Sequence, residues 1–245
     1  MMAAVTATYD VRVANLSVRN RQPAQDLTRL VEDWPHLVVL CEVGGGWPDV
    51  LREVAGYQYV GRREGTHGSR EVALLVRGDV EVVESDVVRM SKAVPRSPMA
   101  HDRWAAWARV VLPGGQHALA YSTHRNAWVQ RRDGTVRPLW RGTAEYRAHV
   151  RAELALLDHH TSQGWPVLGG GDFNYRVPCG TVRFAADAWA YAPHKSFPTI
   201  GLRYVAHGLD GVCHDPLFQP TGDPTLISRA TTGSDHDWLT LTLRA

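Results

Sequence analysis

The sequence predicts one α/β domain with mixed sheets, two of them packed together. Three observations support this. The chain opens on a strand–helix–strand pattern, and a second helix later feeds a strand ending in "GGGDF". Four consecutive strand-like runs lie between these units, more strands than one sheet would comfortably hold. No repeat, low-complexity tract or linker divides the 245 residues.

The elements follow in order. "YDVRVANL" (9–16) alternates Val11 and Val13 with polar neighbours, the period of a strand. "AQDLTRLVEDW" places Leu27, Leu30, Val31 and Trp34 at helical spacing. The continuous apolar run of "HLVVLCEV" predicts a strand buried on both faces. "REVALLVR" (70–77), "VEVVESDVV" (80–88), "WAAWARVVL" (104–112) and "HALAYSTH" (117–124) read as successive strands, with turns at Gly78-Asp79 and Gly114-Gly115. Their short connections favour antiparallel neighbours. Residues 143–159 set Val150, Leu154 and Leu157 on one helical face, and Gly164 and Pro166 close that helix before "WPVLGGGDF". The last third is less regular until "WLTLTLRA", where Leu239, Leu241 and Leu243 alternate with polar residues.

Composition narrows the class. Hydrophobic residues at 44% and charged residues at 21% are ordinary for a soluble domain. No apolar run approaches the ~18 residues of a membrane span. The N-terminus has neither a basic n-region nor an apolar h-region, so the expected address is cytoplasmic. Cys41, Cys179 and Cys213 form no C-x-x-C pair and suit neither a disulfide framework nor a zinc ribbon. A net charge of +2 argues against a large electrostatic footprint for nucleic acid. Only Lys92 and Lys195 of the 27 basic residues are lysines, a bias that fits a GC-rich coding sequence before it fits phosphate binding.

The candidate chemistry sits just past strand ends, where a scaffold presents side chains to a cleft. Asn15 ends the first strand, Glu42 the second and His124 the run 117–124. Asp172 and Asn174 follow the three glycines, Asp210 lies in "HGLDGVC", and Asp235-His236 precede the last strand. Carboxylates and amides without thiolates favour Mg²⁺ or Mn²⁺ over zinc. Such a cation with open water positions is the usual apparatus of phosphate ester hydrolysis.

The ordered succession "VANLS", "LCEV", "STH", "GDFN", "GLDG" and "SDHDWLTLTL" resembles the endonuclease/exonuclease/phosphatase superfamily over nearly the whole chain. The resemblance implies a four-layer α/β sandwich, two packed mixed β-sheets flanked by helices. It also implies a Mg²⁺-dependent phosphoesterase, foremost a nuclease-like phosphodiesterase acting on nucleic acid as a monomer.

By the same resemblance Glu42, Asp235 and Asn15 serve the metal, and Asp172 and Asn174 align the water and hold a phosphate oxygen. His236 is the catalytic histidine oriented by Asp210, and this pair is preferred over Asp172 as the base. His124 is an additional histidine paired with Glu71. Arg125, Tyr175 and Arg176 are candidate substrate contacts, bidentate arginines being well suited to phosphate.

Blander readings stand beside these. Asp172 and Asn174 are common turn residues, Glu71 is at home as an edge charge, and Trp128, Trp140 and Trp189 suit a core as well as a base-stacking groove. Three functions remain open at this level: a phosphodiesterase, a phosphatase on an inositol phosphate or other small monoester, and a non-catalytic binding module. Tyr175-Arg176 favours the second, and the complete polar set speaks against the third.

Overall fold

A computed structural model describes residues 7–17, 23–44, 46–62, 72–93, 102–126, 141–174, 183–184, 202–207 and 209–245. In chain order the elements are β1 (Thr8–Asn15), α1 (Pro23–Val31), β2 (Leu37–Cys41), α2 (Trp47–Arg52), β3 (Tyr57–Gly61), β4 (Val72–Arg77), β5 (Glu81–Ser91), β6 (Arg103–Val111) and β7 (His117–His124). The long helix α3 (Arg141–Thr161) leads into β8 (Val167–Asp172), then β9 (Arg183–Phe184), β10 (Arg203–His207), β11 (Asp210–His214), β12 (Gln219–Pro220), β13 (Thr225–Ile227) and β14 (Trp238–Arg244).

Two mixed sheets result. The first runs β12-β14-β1-β2-β4-β3, with β13 also on β14; the second runs β5-β6-β7-β8-β11-β10-β9. Each has a parallel pair, β1 with β2 and β7 with β8, and a helix lies between the two members of each pair in sequence. Val11, Val13, Leu74, Val76 and Leu241 from one sheet meet Ala108, Val110, Leu168 and Val212 from the other in a sealed inner layer. Fully burying each valine or leucine there contributes ~1.5–3 kcal/mol. Leu30, Trp47 and Leu51 of α1 and α2 cover the outer face of the first sheet. Tyr146, Val150, Leu154 and Leu157 of α3 cover the second. The architecture is the four-layer sandwich expected.

Polar groups fix the layers where apolar packing alone would let them slide. Arg12, buried on the outer face of β1, donates through Nη1 to the carbonyls of Arg29 (2.6 Å), Leu30 (3.0 Å) and Glu32 (2.9 Å). The first two lie in the last turn of α1, where carbonyls have no intrahelical partner, and the third just past it. Between the sheets, Ser122 Oγ donates to the Leu40 carbonyl at 2.8 Å and the Cys41 thiol to the Thr123 carbonyl at 3.2 Å. The Asp172 amide in turn donates to Cys41 Sγ at 3.3 Å. These contacts cross from sheet to sheet beside the tips of β2, β7 and β8, so those tips are held in register.

Three sequence readings are corrected. β4 and β5 are not antiparallel neighbours: β4 is already flanked by β2 and β3, so the turn at Gly78-Asp79 carries the chain into the other sheet. The glycines 169–171, whose missing Cβ atoms read in the sequence as a place for the backbone to turn, instead lie inside β8, pressed between β7 and β11. At Gly171 (φ 143) a Cβ would fall 1.9 Å from the Thr123 carbonyl oxygen, so only glycine lets β7 approach. Finally, the irregular last third contains an antiparallel hairpin, β10–β11, that pairs with β8.

Candidate active site

The registers gather the polar set. Asn15 pairs with Cys41 across β1 and β2, which places Glu42 one residue beyond the tip of β2. His124 pairs with Asp172 across β7 and β8, and Asp172 with Asp210 across β8 and β11. His236 comes from the loop before β14. Both sheets therefore end in one polar cluster.

Asn15 is fully buried and sits between two acids, with Nδ2 3.4 Å from Glu42 Oε1 and 3.4 Å from Asp172 Oδ2. Its Oδ1 accepts the Ser17 amide at 3.0 Å. His124 Nε2 lies 3.4 Å from the same Asp172 Oδ2, while Oδ1 of Asp172 accepts the Asn174 amide at 2.8 Å. Asn174 Nδ2 donates to the Arg125 carbonyl at 2.8 Å, which fixes the plane of its side-chain amide. The His236 imidazole, through Nδ1, and Asp210 Oδ2 are 2.6 Å apart, and the Ser234 hydroxyl accepts the His236 amide at 3.0 Å. Ser17 (φ 49), Glu42 (φ 56) and Asn174 (φ 50) all hold left-handed backbone at this cluster. Strained non-glycine residues concentrate at functional sites.

The electrostatics follow from burial. Burial raises the Asp172 carboxyl and Asp210 raises it further, only partly offset by His236, so it is pushed up to about 7. Burial opposes a charge on His236, but the Asp210 hydrogen bond and the nearby acids outweigh it and raise the imidazole to about 10. His236 and Asp210 thus hold one proton tightly between them. Burial raises the Cys41 thiol well above its ordinary range, so it is a structural rather than a nucleophilic thiol.

The donor set fits a hard divalent cation. Ligand atoms of Asp172, Asp210 and His236 all lie within 4.8 Å of one another, and Glu42 stands across Asn15 from Asp172. Asp210 Oδ1 is buried without a hydrogen-bond partner among the described residues. Two buried acids in one cluster repel each other, and a cation would relieve that repulsion.

The expected residues are placed as follows. Asn15, Glu42, His124, Asp172, Asn174, Asp210 and His236 come together. Asp235 is exposed and is not one of the three residues whose ligand atoms lie within 4.8 Å of one another, although its charge reaches Asp210 and His236. Glu71, Tyr175 and Arg176 lie outside the described residues. Arg125 is a correction: its guanidinium is fully enclosed and bidentate on Glu153, so it holds no substrate. The arginine next to His124 had suggested phosphate contact, but its charge is spent inside the core. Sequence reasoning also missed His207, whose Nε2 lies 3.1 Å from Asp237 Oδ2 beside the dyad. The side-by-side acids of "SDHD" were the available signal.

Comparison with known proteins bears on the fold. No family model and no curated protein matches the chain. Solved structures do. D. rerio TDP2 complexed with single-strand DNA product aligns over 98% of this chain and 100% of its own, with a TM-score of 0.66 at 16% identity. An endonuclease/exonuclease/phosphatase family protein from Bacteroides thetaiotaomicron aligns over 98% of each chain, with a TM-score of 0.63 at 16% identity. A mannosyl-6-phosphatase of the same organism aligns over 96% of this chain and 98% of its own, with a TM-score of 0.60 at 15% identity. The chain has the fold of the endonuclease/exonuclease/phosphatase superfamily.

Proposed function

We propose that this chain is a metal-dependent phosphoester hydrolase acting on phosphodiesters, nucleic acid foremost. One observation carries the reading: the tips of both sheets bring a buried Asp172, a tight Asp210–His236 pair, His124, Asn174 and the Asn15–Glu42 pair to one point. A structural scaffold has no reason to concentrate so many buried charges.

Glu42 and Asn15, with Asp172 within reach, are the residues we assign to a Mg²⁺ or Mn²⁺ ion, and the Asp210–His236 pair, which holds its own proton, is left out of the ligand set. When bound, such an ion supplies Lewis-acid stabilisation of phosphoryl charge. The remaining work belongs to the chain. His236 is raised to about 10 and hence cationic at neutral pH, so it suits charge stabilisation and proton donation better than proton removal. Asp172, raised to about 7, is poised to take the proton of an attacking water near neutrality. We assign the base to Asp172 on its place among Asn15, His124 and Asp210 at the meeting of the sheet tips, where the sequence alone favours His236; a bound cation would lower its carboxyl. Asp210 fixes the imidazole through Nδ1 and leaves Nε2 for the phosphate. Asn174, its amide anchored on residue 125, presents its remaining polar capacity to the reacting group.

A second reading, a phosphomonoesterase, has its own support: the small net charge of +2 and a mannosyl-6-phosphatase with this fold. A substrate panel with Mg²⁺ or Mn²⁺ separates the two. Nicking of plasmid or shortening of a single-stranded oligonucleotide supports the nuclease. Turnover of p-nitrophenyl phosphate and sugar phosphates alone moves the assignment to the monoesterase. Inertness toward every ester overturns both.

A further inference from the structure

We infer that the buried Arg125–Glu153 ion pair is a positioning device that fixes Asn174 and Asp172 from behind the site. The inference rests on the hydrolase reading above and names the residues of this chain that hold its geometry.

Both side chains are fully buried, with Nε and Nη2 of Arg125 donating to the two Glu153 oxygens at 2.8 and 2.9 Å. Removing two charges from water is expensive, and apolar residues of similar volume often serve stability as well or better. What the pair adds is a rigid fork. The guanidinium lies 4.5 Å over the Phe173 ring, and Nη1 donates to the Tyr146 hydroxyl at 3.3 Å. That hydroxyl donates to the Phe173 carbonyl at 3.1 Å.

The backbone completes the grip. The Arg125 amide donates to the Asp172 carbonyl at 2.9 Å, and the Arg125 carbonyl accepts the Asn174 side-chain amide at 2.8 Å. The Phe173 amide is held by the Leu209 carbonyl at 2.9 Å. Segment 172–174, including a left-handed Asn174 at φ 50, is thus held by residue 125 at Asp172 and Asn174 and by Tyr146 and Leu209 at Phe173. Tyr146, His149 and Glu153 occupy one face of α3. His149 Nε2 extends the network to Thr123 Oγ1 at 2.9 Å, next to His124. The long helix is coupled through this network to the tips of β7 and β8.

The test is the double replacement Arg125→Met with Glu153→Leu, which removes both charges and keeps the volume filled. The variant is expected to fold, with kcat for bis-p-nitrophenyl phosphate down about 100-fold and KM changed little, as misplacement of reacting groups by about an ångström produces. The Asn174 side-chain NH₂ signals in a ¹⁵N spectrum, identified by their absence in Asn174→Asp, are expected to lose their protection from exchange. Should the double variant not fold, Arg125→Lys, which keeps the charge and loses the fork, is read by the same two measurements. A folded variant that keeps either its kcat within two-fold or its protected Asn174 signals overturns the inference. If the parent hydrolyses no ester, the hydrolase reading fails, and the Asn174 signals still decide whether the pair positions that residue.

Discussion

Gly171→Ala puts the strand packing behind Asp172 to a quantitative test. The added Cβ would sit 1.9 Å from the Thr123 carbonyl oxygen and 2.9 Å from its carbonyl carbon, both backbone atoms of a neighbouring strand. A rotamer change cannot relieve this, so β7 and β8 must part. Residue 171 also holds φ 143, a backbone region costing about 1–3 kcal/mol for a residue with a side chain. Overpacking adds about 1–3 kcal/mol, which gives a total near 4 kcal/mol. In a domain of this size that is a drop in Tm of roughly 8–16 °C. Two alanine controls separate the contributions. Gly115→Ala has φ 85 and open space, so about 1 kcal/mol is expected. Gly222→Ala has open space and ordinary backbone, so no loss is expected. Thermal denaturation of the three variants is the assay. Activity should fall in Gly171→Ala even below its Tm, because His124 and Asp172 follow the two clashing residues. A Gly171→Ala protein melting within about 3 °C of the parent, or no lower than Gly115→Ala, would refute the packing argument.

Other outcomes follow from the same structure. Burial holds the His149 imidazole well below its ordinary 6.5 and His160 at about 4, so at these two groups the unfolded chain binds more protons between those values and their contribution to stability falls as pH drops through 6.5 toward 4, against the raised Asp172 carboxyl, which adds stability over the same range. Urea midpoints of the parent and His160→Gln at a series of pH values should show the His160 share as a smaller loss on acidification in the variant. Arg12→Met orphans the α1 carbonyls and should cost about 3 kcal/mol by urea denaturation, with kcat of the folded protein unchanged. Asp26→Ala removes the buried acceptor of the Gly233 amide at 2.8 Å, and the loosened His236 loop should lower kcat about ten-fold for a loss of only about 1–2 kcal/mol. Mg²⁺ should raise the Tm of the parent, about 2.7 kcal/mol at a hundred times Kd, and do so far less in Glu42→Gln.

Much of this was legible because hydrophobic period and strand-end polarity are local signals. β1, β2 and β14 announce themselves by alternation or by a continuous apolar run, and the seven residues that meet at the site each stand within two residues of a strand tip or in the short loop before β14. What depends on partners was not legible. The β4–β5 turn looks like a hairpin until β3 is known to occupy the edge of β4. Asp210 was visible as an acid but not as the first residue of a hairpin's second strand, because β10 has no clean alternation. Arg125 shows the limit most plainly. Beside a candidate catalytic histidine an arginine reads as a phosphate ligand, and only Glu153, 28 residues away on α3, reveals that its charge is consumed in the core.

The most direct measurement is the steady-state hydrolysis of bis-p-nitrophenyl phosphate with Mg²⁺ or Mn²⁺, with and without EDTA, for the parent, Asp172→Asn and His236→Asn. The account predicts turnover that EDTA abolishes, losses of about 10³-fold or more in kcat for both variants, and melting temperatures near that of the parent. Turnover that survives chelation, or a folded Asp172→Asn protein that keeps the parent's rate, would contradict it.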